Sequence, residues 1–157
     1  MNKFSTYMRN LILLTYLLFL LPVSTAASLL QDDLKIKDVF RIYGKQKNVV
    51  MVELSKEMLD MYDISFYKSI TIKNDAEALM FIRKCLETDQ NGARKIKEIT
   101  SEGEIISAYY QIAGTNPGIN RFILFKVDQK GLITLIYLEG KLDSDDLITI
   151  LFTKKDY

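Results

Sequence analysis

The chain has 157 residues with 21 basic and 20 acidic side chains, a formal net charge of +1. A near-neutral chain has no charge excess to attract nucleic acid, so we expect no nucleic-acid partner. It has no histidine and one cysteine, which excludes Ser-His-Asp and Cys-His catalysis, histidine-ligated zinc and an intramolecular disulfide. We find no catalytic, metal-binding or cofactor motif and expect no cofactor.

The first 27 residues have the layout of a secretory signal peptide. Lys3 and Arg9 precede an uncharged apolar run over residues 11–21, which is followed by Pro22 and small residues up to position 27. The run is shorter than the ~20 residues of a membrane-spanning helix. We therefore predict a signal peptide over 1–27 and one domain over 28–157. An uncleaved N-terminal anchor is the alternative.

Removal of the leader has two consequences. It takes Lys3 and Arg9 and no acidic residue, so the 21 basic residues become 19 against 20 acidic ones. No cysteine stands at the cleavage site to carry a lipid. We expect an exported protein, periplasmic or secreted, with no stable membrane anchor after cleavage.

The first half of the domain predicts a helix, a strand and a helical turn. Apolar residues at i, i+3, i+4 and i+7 predict an amphipathic helix over 36–43, with Asp32 or Asp33 as its cap. Residues 49–54 are apolar nearly throughout, which is typical of a strand inside a sheet rather than at its edge. Ser55 is expected to cap a short helical turn.

A strand and the longest helix follow. Residues 64–73 alternate apolar and polar side chains, which predicts a strand with one buried face. Asn74 and Glu77 resemble a capping box at the start of a helix over 74–86. Cys85 lies on the apolar side of this helix, so we expect it to be buried and inert; a reactive thiol is the alternative.

The last third predicts four strands joined by turns, and a short final helix that Asp143 or Ser144 caps. The turn before the last strand ends at Gly131, which can adopt positive φ. The order of elements predicts an α+β fold: a single domain with a mostly antiparallel sheet, a C-terminal four-strand meander, and helices packed on one face.

Aromatic residues on the predicted strands suggest a binding face. If helices cover one side of the sheet, the other side still carries apolar and aromatic side chains, and such a face marks a ligand groove or a partner surface. The candidate residues are Tyr109, Tyr110, Phe122 and Tyr137. A two-layer core with partly exposed tyrosines is the alternative.

Charged residues give weaker signals. A pair of carboxylates in a pocket would make a hydrolase possible, and four glutamates lie in or beside strands: Glu53, Glu98, Glu104 and Glu139. Edge or solvent-facing positions are the simpler explanation of these glutamates. The acidic cluster at 143–146 lacks the spacing of a calcium loop and is expected to cap the last helix. The basic runs at 45–47 and 94–97 are expected to be solvated surface.

Two segments carry a resemblance. Residues 48–59, NVVMVELSKEML, and residues 132–147, LITLIYLEGKLDSDDL, are similar to small exported Bacteroidetes proteins classed as domains of unknown function. The resemblance implies a periplasmic or cell-envelope α+β domain, and it implies no activity and no catalytic residues.

Three functions remain open at this point. The first is a non-catalytic binding or interaction module of the bacterial cell envelope with a protein or small-molecule partner. The second is a carboxylate-dependent hydrolase. The third is a structural subunit that acts by pairing the edge of its sheet with a partner.

Overall fold

The structure, a computed structural model, describes residues 34–152. The predicted signal peptide, the predicted cap residues Asp32 and Asp33, and both ends of the predicted domain 28–157 lie outside the described residues. Residues 34–152 contain the helices α1 (Ile36–Tyr43), α2 (Lys56–Met61), α3 (Ala76–Asp89) and α4 (Ser144–Phe152). The strands are β1 (Val49–Glu53), β2 (Ile64–Lys73), β3 (Arg94–Ser101), β4 (Glu104–Ile112), β5 (Asn120–Val127) and β6 (Leu132–Gly140). In this part of the chain no helix is long and apolar enough to cross a membrane.

The strands form one six-stranded sheet in the order β1-β2-β6-β5-β4-β3. Every neighbouring pair is antiparallel. The predicted α+β class and antiparallel sheet are therefore confirmed. The strand β1 lies at one edge of the sheet and pairs only with β2, so the prediction that residues 49–54 lie inside a sheet is wrong.

Helices cover both faces of the sheet, which corrects the prediction that they pack on one face. α1 and α3 pack on one face through residues such as Val39 and Ile82, and α4 packs on the other through Leu147. The reason lies in β5, where the consecutive residues Phe122 and Ile123 are both fully buried. Successive strand residues point to opposite faces, so both faces need a cover.

Local signals set several element ends. Gly131 has φ of 72° in the β5–β6 turn, as predicted. The carboxylate of Asp143 accepts hydrogen bonds from the backbone N–H groups of Asp145 at 2.8 Å and Asp146 at 2.9 Å, which confirms its predicted role as the cap of α4. The cap of α3 is Asp75, which accepts from the Ala78 N–H at 2.8 Å. The prediction of Asn74 as the cap is wrong by one residue.

Candidate functional site

The four aromatic candidates lie in the core. Tyr110 and Tyr137 belong to the cluster beneath α1 and α3, whereas Tyr109 and Phe122 belong to the cluster beneath α4. None of the four is more than 5% exposed. They therefore do not share one face, and they do not make an open aromatic surface. Tyr137 and Tyr109 each contribute to the floor of a different groove.

The tyrosine hydroxyls are held by internal acceptors. Tyr110 donates to the carboxylate of Glu98, and Tyr137 donates to that of Glu139. Burial raises the pKa of both phenols, and the carboxylate that each one bonds raises the pKa further. Both stay neutral hydrogen-bond donors at physiological pH, which is a structural role.

The edge strand β1 is apolar and exposed. Its sequence is VVMVE, and Val50, Met51 and Val52 are 62%, 37% and 42% exposed. Its pairing with β2 runs from Val49 opposite Ile72 to Glu53 opposite Lys68 without a bulge. An apolar, regular edge strand presents unpaired backbone groups to other chains, and proteins normally protect such edges. Its own first four residues carry no charged side chain, proline or bulge.

The opposite edge of the sheet is protected. Strand β3 has the sequence RKIKEITS, and its pairing with β4 shifts between Lys95 and Lys97 and again between Ile99 and Thr100. Charged side chains and bulges are the usual devices that prevent edge-to-edge pairing. The two edges of one sheet thus differ in composition and regularity, and only β1 suits the addition of another strand.

A groove runs along the α1 side of β1. It measures about 490 Å³, which is within the size range of ligand sites. Its floor is formed by aromatic and apolar side chains, namely Phe40, Met51, Phe66 and Tyr137. The rings of Phe66 and Tyr137 are 5.7 Å apart at a tilt of 57°. We call this space the α1 groove.

The walls of the α1 groove are predominantly basic. Four basic residues line it, namely Lys37, Arg41, Lys45 and Lys68, against one carboxylate, that of Glu53. The Lys68 ammonium lies 2.9 Å from the Glu53 carboxylate, and the Lys37 ammonium lies 5.6 Å from the centre of the Tyr137 ring. Arg41 also pairs with Asp38 at 2.7 Å. Among residues 34–152, basic side chains thus outnumber acidic ones in the lining of this groove.

The basic wall depends on a distant carboxylate. Asp89, at the end of α3, accepts hydrogen bonds from the backbone N–H groups of Lys35 and Ile36, both at 2.8 Å. These N–H groups lie at the N-terminus of α1, where a helix has no internal acceptors for them. Burial raises the pKa of Asp89, and its two backbone bonds oppose that rise. Asp89 thereby fixes the helix that carries Lys37 and Arg41.

A second groove lies on the α4 side of the sheet. It also measures about 490 Å³ and is lined mainly by apolar residues of β3 to β6, including Ile99, Tyr109, Leu124 and Ile136. Lys97 and Lys126 are the charged residues at its rim. None of the described residues that line it carries a carboxylate, so these residues offer no pair of acids for hydrolysis.

The glutamates considered for hydrolysis lie on four different strands, and each has its own partner. Glu53 pairs with Lys68, and Glu104 pairs with Arg83 at 2.9 Å. Glu98 and Glu139 accept from tyrosine hydroxyls as described above. Across residues 34–152, no three acidic or cysteine side chains are grouped to hold a metal ion.

The thiol of Cys85 is buried, as predicted. Its residue is 5% exposed and packs in the cluster beneath α1 and α3. Burial raises its pKa to about 11, and the nearby Asp89 carboxylate adds to the rise. A thiol with this pKa carries almost no thiolate at neutral pH, so it is a poor nucleophile.

The sequence did not predict the basic groove or the exposed β1 edge. The sequence predicts solvated surface for the run at 45–47, and no motif marks Lys37, Arg41 or Lys68. The contrast between the apolar residues 49–52 and the charged residues 94–98 was the available signal.

These features define an α+β domain with one antiparallel sheet, an apolar and exposed edge strand, and a groove with basic side chains beside it. The chain belongs to a family of unknown function (DUF6108), whose pattern matches residues 23–151. The predicted membership of a domain family of unknown function is confirmed. Comparison with curated proteins and with solved structures gives no match.

Proposed function

We propose that this protein is an exported, non-catalytic interaction module of the bacterial cell envelope that binds an extended segment of another polypeptide along β1. The observation that supports it is the difference between the two edges of the sheet. The strand β1 lies at an edge although its apolar composition is that of an interior strand. The strand β3, at the other edge, carries charged side chains and its pairing is interrupted by bulges. A seventh strand added at β1 would pair its backbone groups and cover Val50 and Val52.

The partner in this proposal is a different chain rather than a second copy. Pairing of two β1 strands would bring two α1 grooves together, and the described residues that line each groove include four basic side chains and one carboxylate. Like charges at such short range oppose association, and juxtaposed like charges are a common means of excluding wrong partners. Export and the envelope location rest on the leader-like residues 1–27 and on the resemblance of residues 48–59 and 132–147 to exported proteins.

Binding of a labelled heptapeptide, TVQVQVT with blocked ends, tests strand addition. A matched pair of variants uses residues of nearly equal exposure on the two edges: Val52→Lys on β1, at 42%, and Ile99→Lys on β3, at 41%. A lysine on an exposed edge strand discourages pairing. We expect the Val52→Lys protein to bind about tenfold more weakly than the wild type, and the Ile99→Lys protein to bind as the wild type does.

A second peptide separates strand addition from apolar adhesion. N-methylation of alternate residues removes the backbone donors of one peptide edge and leaves the side chains unchanged. We expect the peptide methylated on the paired edge not to bind. Equal affinity of the wild type for methylated and unmethylated peptides, equal affinity of the wild type and Val52→Lys, or no saturable binding at all would refute the proposal.

A further inference from the structure

The direction in which each β2 residue makes its backbone hydrogen bonds follows from the contacts at the end of that strand. In an antiparallel ladder the N–H and C=O of one residue point to one neighbouring strand, and those of the next residue point to the other. The Asn74 N–H, directly after β2, donates to the Gly131 carbonyl at 3.0 Å, and so points toward β6. Lys73 therefore points its backbone groups toward β1, as does every second residue before it in the unbroken register.

The turn between β5 and β6 gives the same direction independently. The Asp128 N–H donates to the Leu132 carbonyl at 3.0 Å, so Leu132 points its backbone groups toward β5. The next residue, Ile133, then points toward β2, where it lies opposite Ile72. Ile72 thus bonds to β6, and the residues on either side of it bond to β1.

This alternation determines which β1 residues turn their backbone groups outward. Val50 lies opposite Thr71, which points toward β1, so these two residues form a hydrogen-bonded pair. The same holds for Val52, opposite Ser69, and the register between them has no bulge. The backbone groups that point away from β2 therefore belong to Val49, Met51 and Glu53.

The two faces of β1 differ in exposure. Val50 and Val52 are 62% and 42% exposed, and their partners on β2 have short hydroxyl side chains. On the other face the end of α1 lies against Met51, since a Cβ atom at Gly44 would come within 2.8 Å of the Met51 sulfur. An added strand would therefore cover the two valines on a face that α1 does not occupy.

An antiparallel strand added at β1 would bring its side chains closest to these two valines. It would form non-hydrogen-bonded pairs with Val50 and Val52, in which the Cα atoms are about 4.5 Å apart, against about 5.5 Å in a hydrogen-bonded pair. β-branched side chains pack well in such cross-strand pairs. The antiparallel direction is that of every strand pair in the described sheet, and it is slightly the more stable per residue.

From this geometry we infer that the partner segment at β1 is an antiparallel strand with valine or isoleucine at alternate positions, opposite Val50 and Val52. The residues between them exchange backbone hydrogen bonds with Met51 and its outward-facing neighbours, and their side chains lie on the α1 side. The inference rests on the proposed function, because it describes the partner of the same edge. It adds the side-chain pattern of that partner and the backbone edge through which it binds.

N-methylated forms of TVQVQVT, with blocked ends, test which edge of the peptide binds. With its valines opposite Val50 and Val52, the glutamines make the backbone bonds to β1. We therefore expect methylation of both glutamine nitrogens to weaken binding to the wild type by more than about tenfold. Methylation of two valine nitrogens is the matched control. It places the methyl groups on the edge away from β1, and we expect an affinity within about twofold of the parent peptide.

Two alanine peptides test the side-chain pattern. TAQVQAT replaces two valines and should bind about fivefold more weakly than TVQVQVT. TVAVAVT replaces two glutamines and should bind within about twofold of it. Isotope-filtered NMR of the complex should show contacts between the α-protons of the peptide valines and those of Val50 and Val52, since non-hydrogen-bonded antiparallel pairs bring these protons together.

The outcomes separate this inference from the proposed function. A stronger loss on methylation of the valines than of the glutamines would overturn the inference while strand addition stands. An equal loss for both methylated peptides, a larger loss for TVAVAVT than for TAQVQAT, or α-proton contacts from the peptide glutamines to Val50 would also overturn it. Equal affinity for the parent and both methylated peptides, or no saturable binding, would overturn the proposed function itself.

Discussion

The replacement of Asp89 by alanine tests how the wall of the α1 groove is held in place. Asp89 is 8% exposed, and its two oxygens accept from the backbone N–H groups of Lys35 and Ile36 at 2.8 Å. Ile36 is fully buried, so the substitution leaves its N–H without an acceptor and without access to water. The N-terminus of α1 would lose its only described side-chain acceptors.

The expected loss of unfolding free energy follows from the two hydrogen bonds that Asp89 accepts. A hydrogen bond to a charged group is worth about 1.5–3 kcal/mol net, so two such bonds are worth about 3–6 kcal/mol. The burial that raises the pKa of Asp89 is a cost of keeping the carboxylate ionised, and it reduces that gain. We expect Asp89→Ala to lower the free energy of unfolding by about 2–4 kcal/mol.

Urea unfolding at neutral pH measures this effect. We expect the midpoint to fall with an unchanged slope, because the same surface is exposed on unfolding. Thr88→Ala is the control: the Thr88 hydroxyl donates to the Lys84 carbonyl at 3.1 Å on the exposed side of the same helix turn, and its loss should cost at most about 0.5 kcal/mol. A change below about 1 kcal/mol for Asp89→Ala would show that α1 is held by packing alone.

Three further predictions concern Asp89, Cys85 and Asp143. The folded pKa of Asp89 lies above its unfolded value, so the wild type should lose stability relative to Asp89→Asn as pH rises from about 4 through that folded pKa; a pH-independent difference would contradict this. Cys85, with its pKa raised to about 11, should react with a thiol reagent at pH 8 only after urea is added, and rapid labelling of the native protein would contradict its burial. Asp143→Ala should lower the free energy of unfolding by about 1 kcal/mol, and calcium should leave the wild-type melting temperature unchanged; a calcium-dependent rise that Asp143→Ala abolishes would show a metal site.

Local chemistry made several elements predictable from the sequence. The alternation over residues 64–73 gave β2 its bounds, and the position of Gly131 gave the last hairpin its turn. Asp143 was recognisable as a cap because a carboxylate can bond N–H groups two and three residues ahead. In each case the residues that determine the structure are neighbours in the chain.

Pairings between distant residues were not predictable. β2 pairs with β6, so Ile70 lies opposite Leu135, and this leaves β1 at the edge although its composition is that of an interior strand. Asp89 bonds the start of α1 from more than 50 residues away. No periodicity or spacing in the sequence records either contact, since both depend on how the sheet is ordered.

In the candidate site, too, the local structure was predictable and the contacts between distant residues were not. Tyr109, Tyr110, Phe122 and Tyr137 lie on strands as expected, but helices on both faces bury them. The basic groove combines Lys37 and Arg41 of α1 with Lys68 of β2. These residues carry no motif, and their charges come together only when α1 packs on the face of the sheet beside β1.

Amide hydrogen exchange of β1, measured by NMR with and without saturating TVQVQVT peptide, tests the central claim most directly. In an edge strand the backbone N–H groups that point away from the sheet have no partner, so the outward amides among Val49–Glu53 should exchange rapidly in the free protein. The account predicts that bound peptide slows their exchange by about tenfold or more, and that the amides of Arg94–Ser101 in β3 do not change. Unchanged exchange in β1 at saturating peptide, or protection that appears in β3 instead, would contradict it.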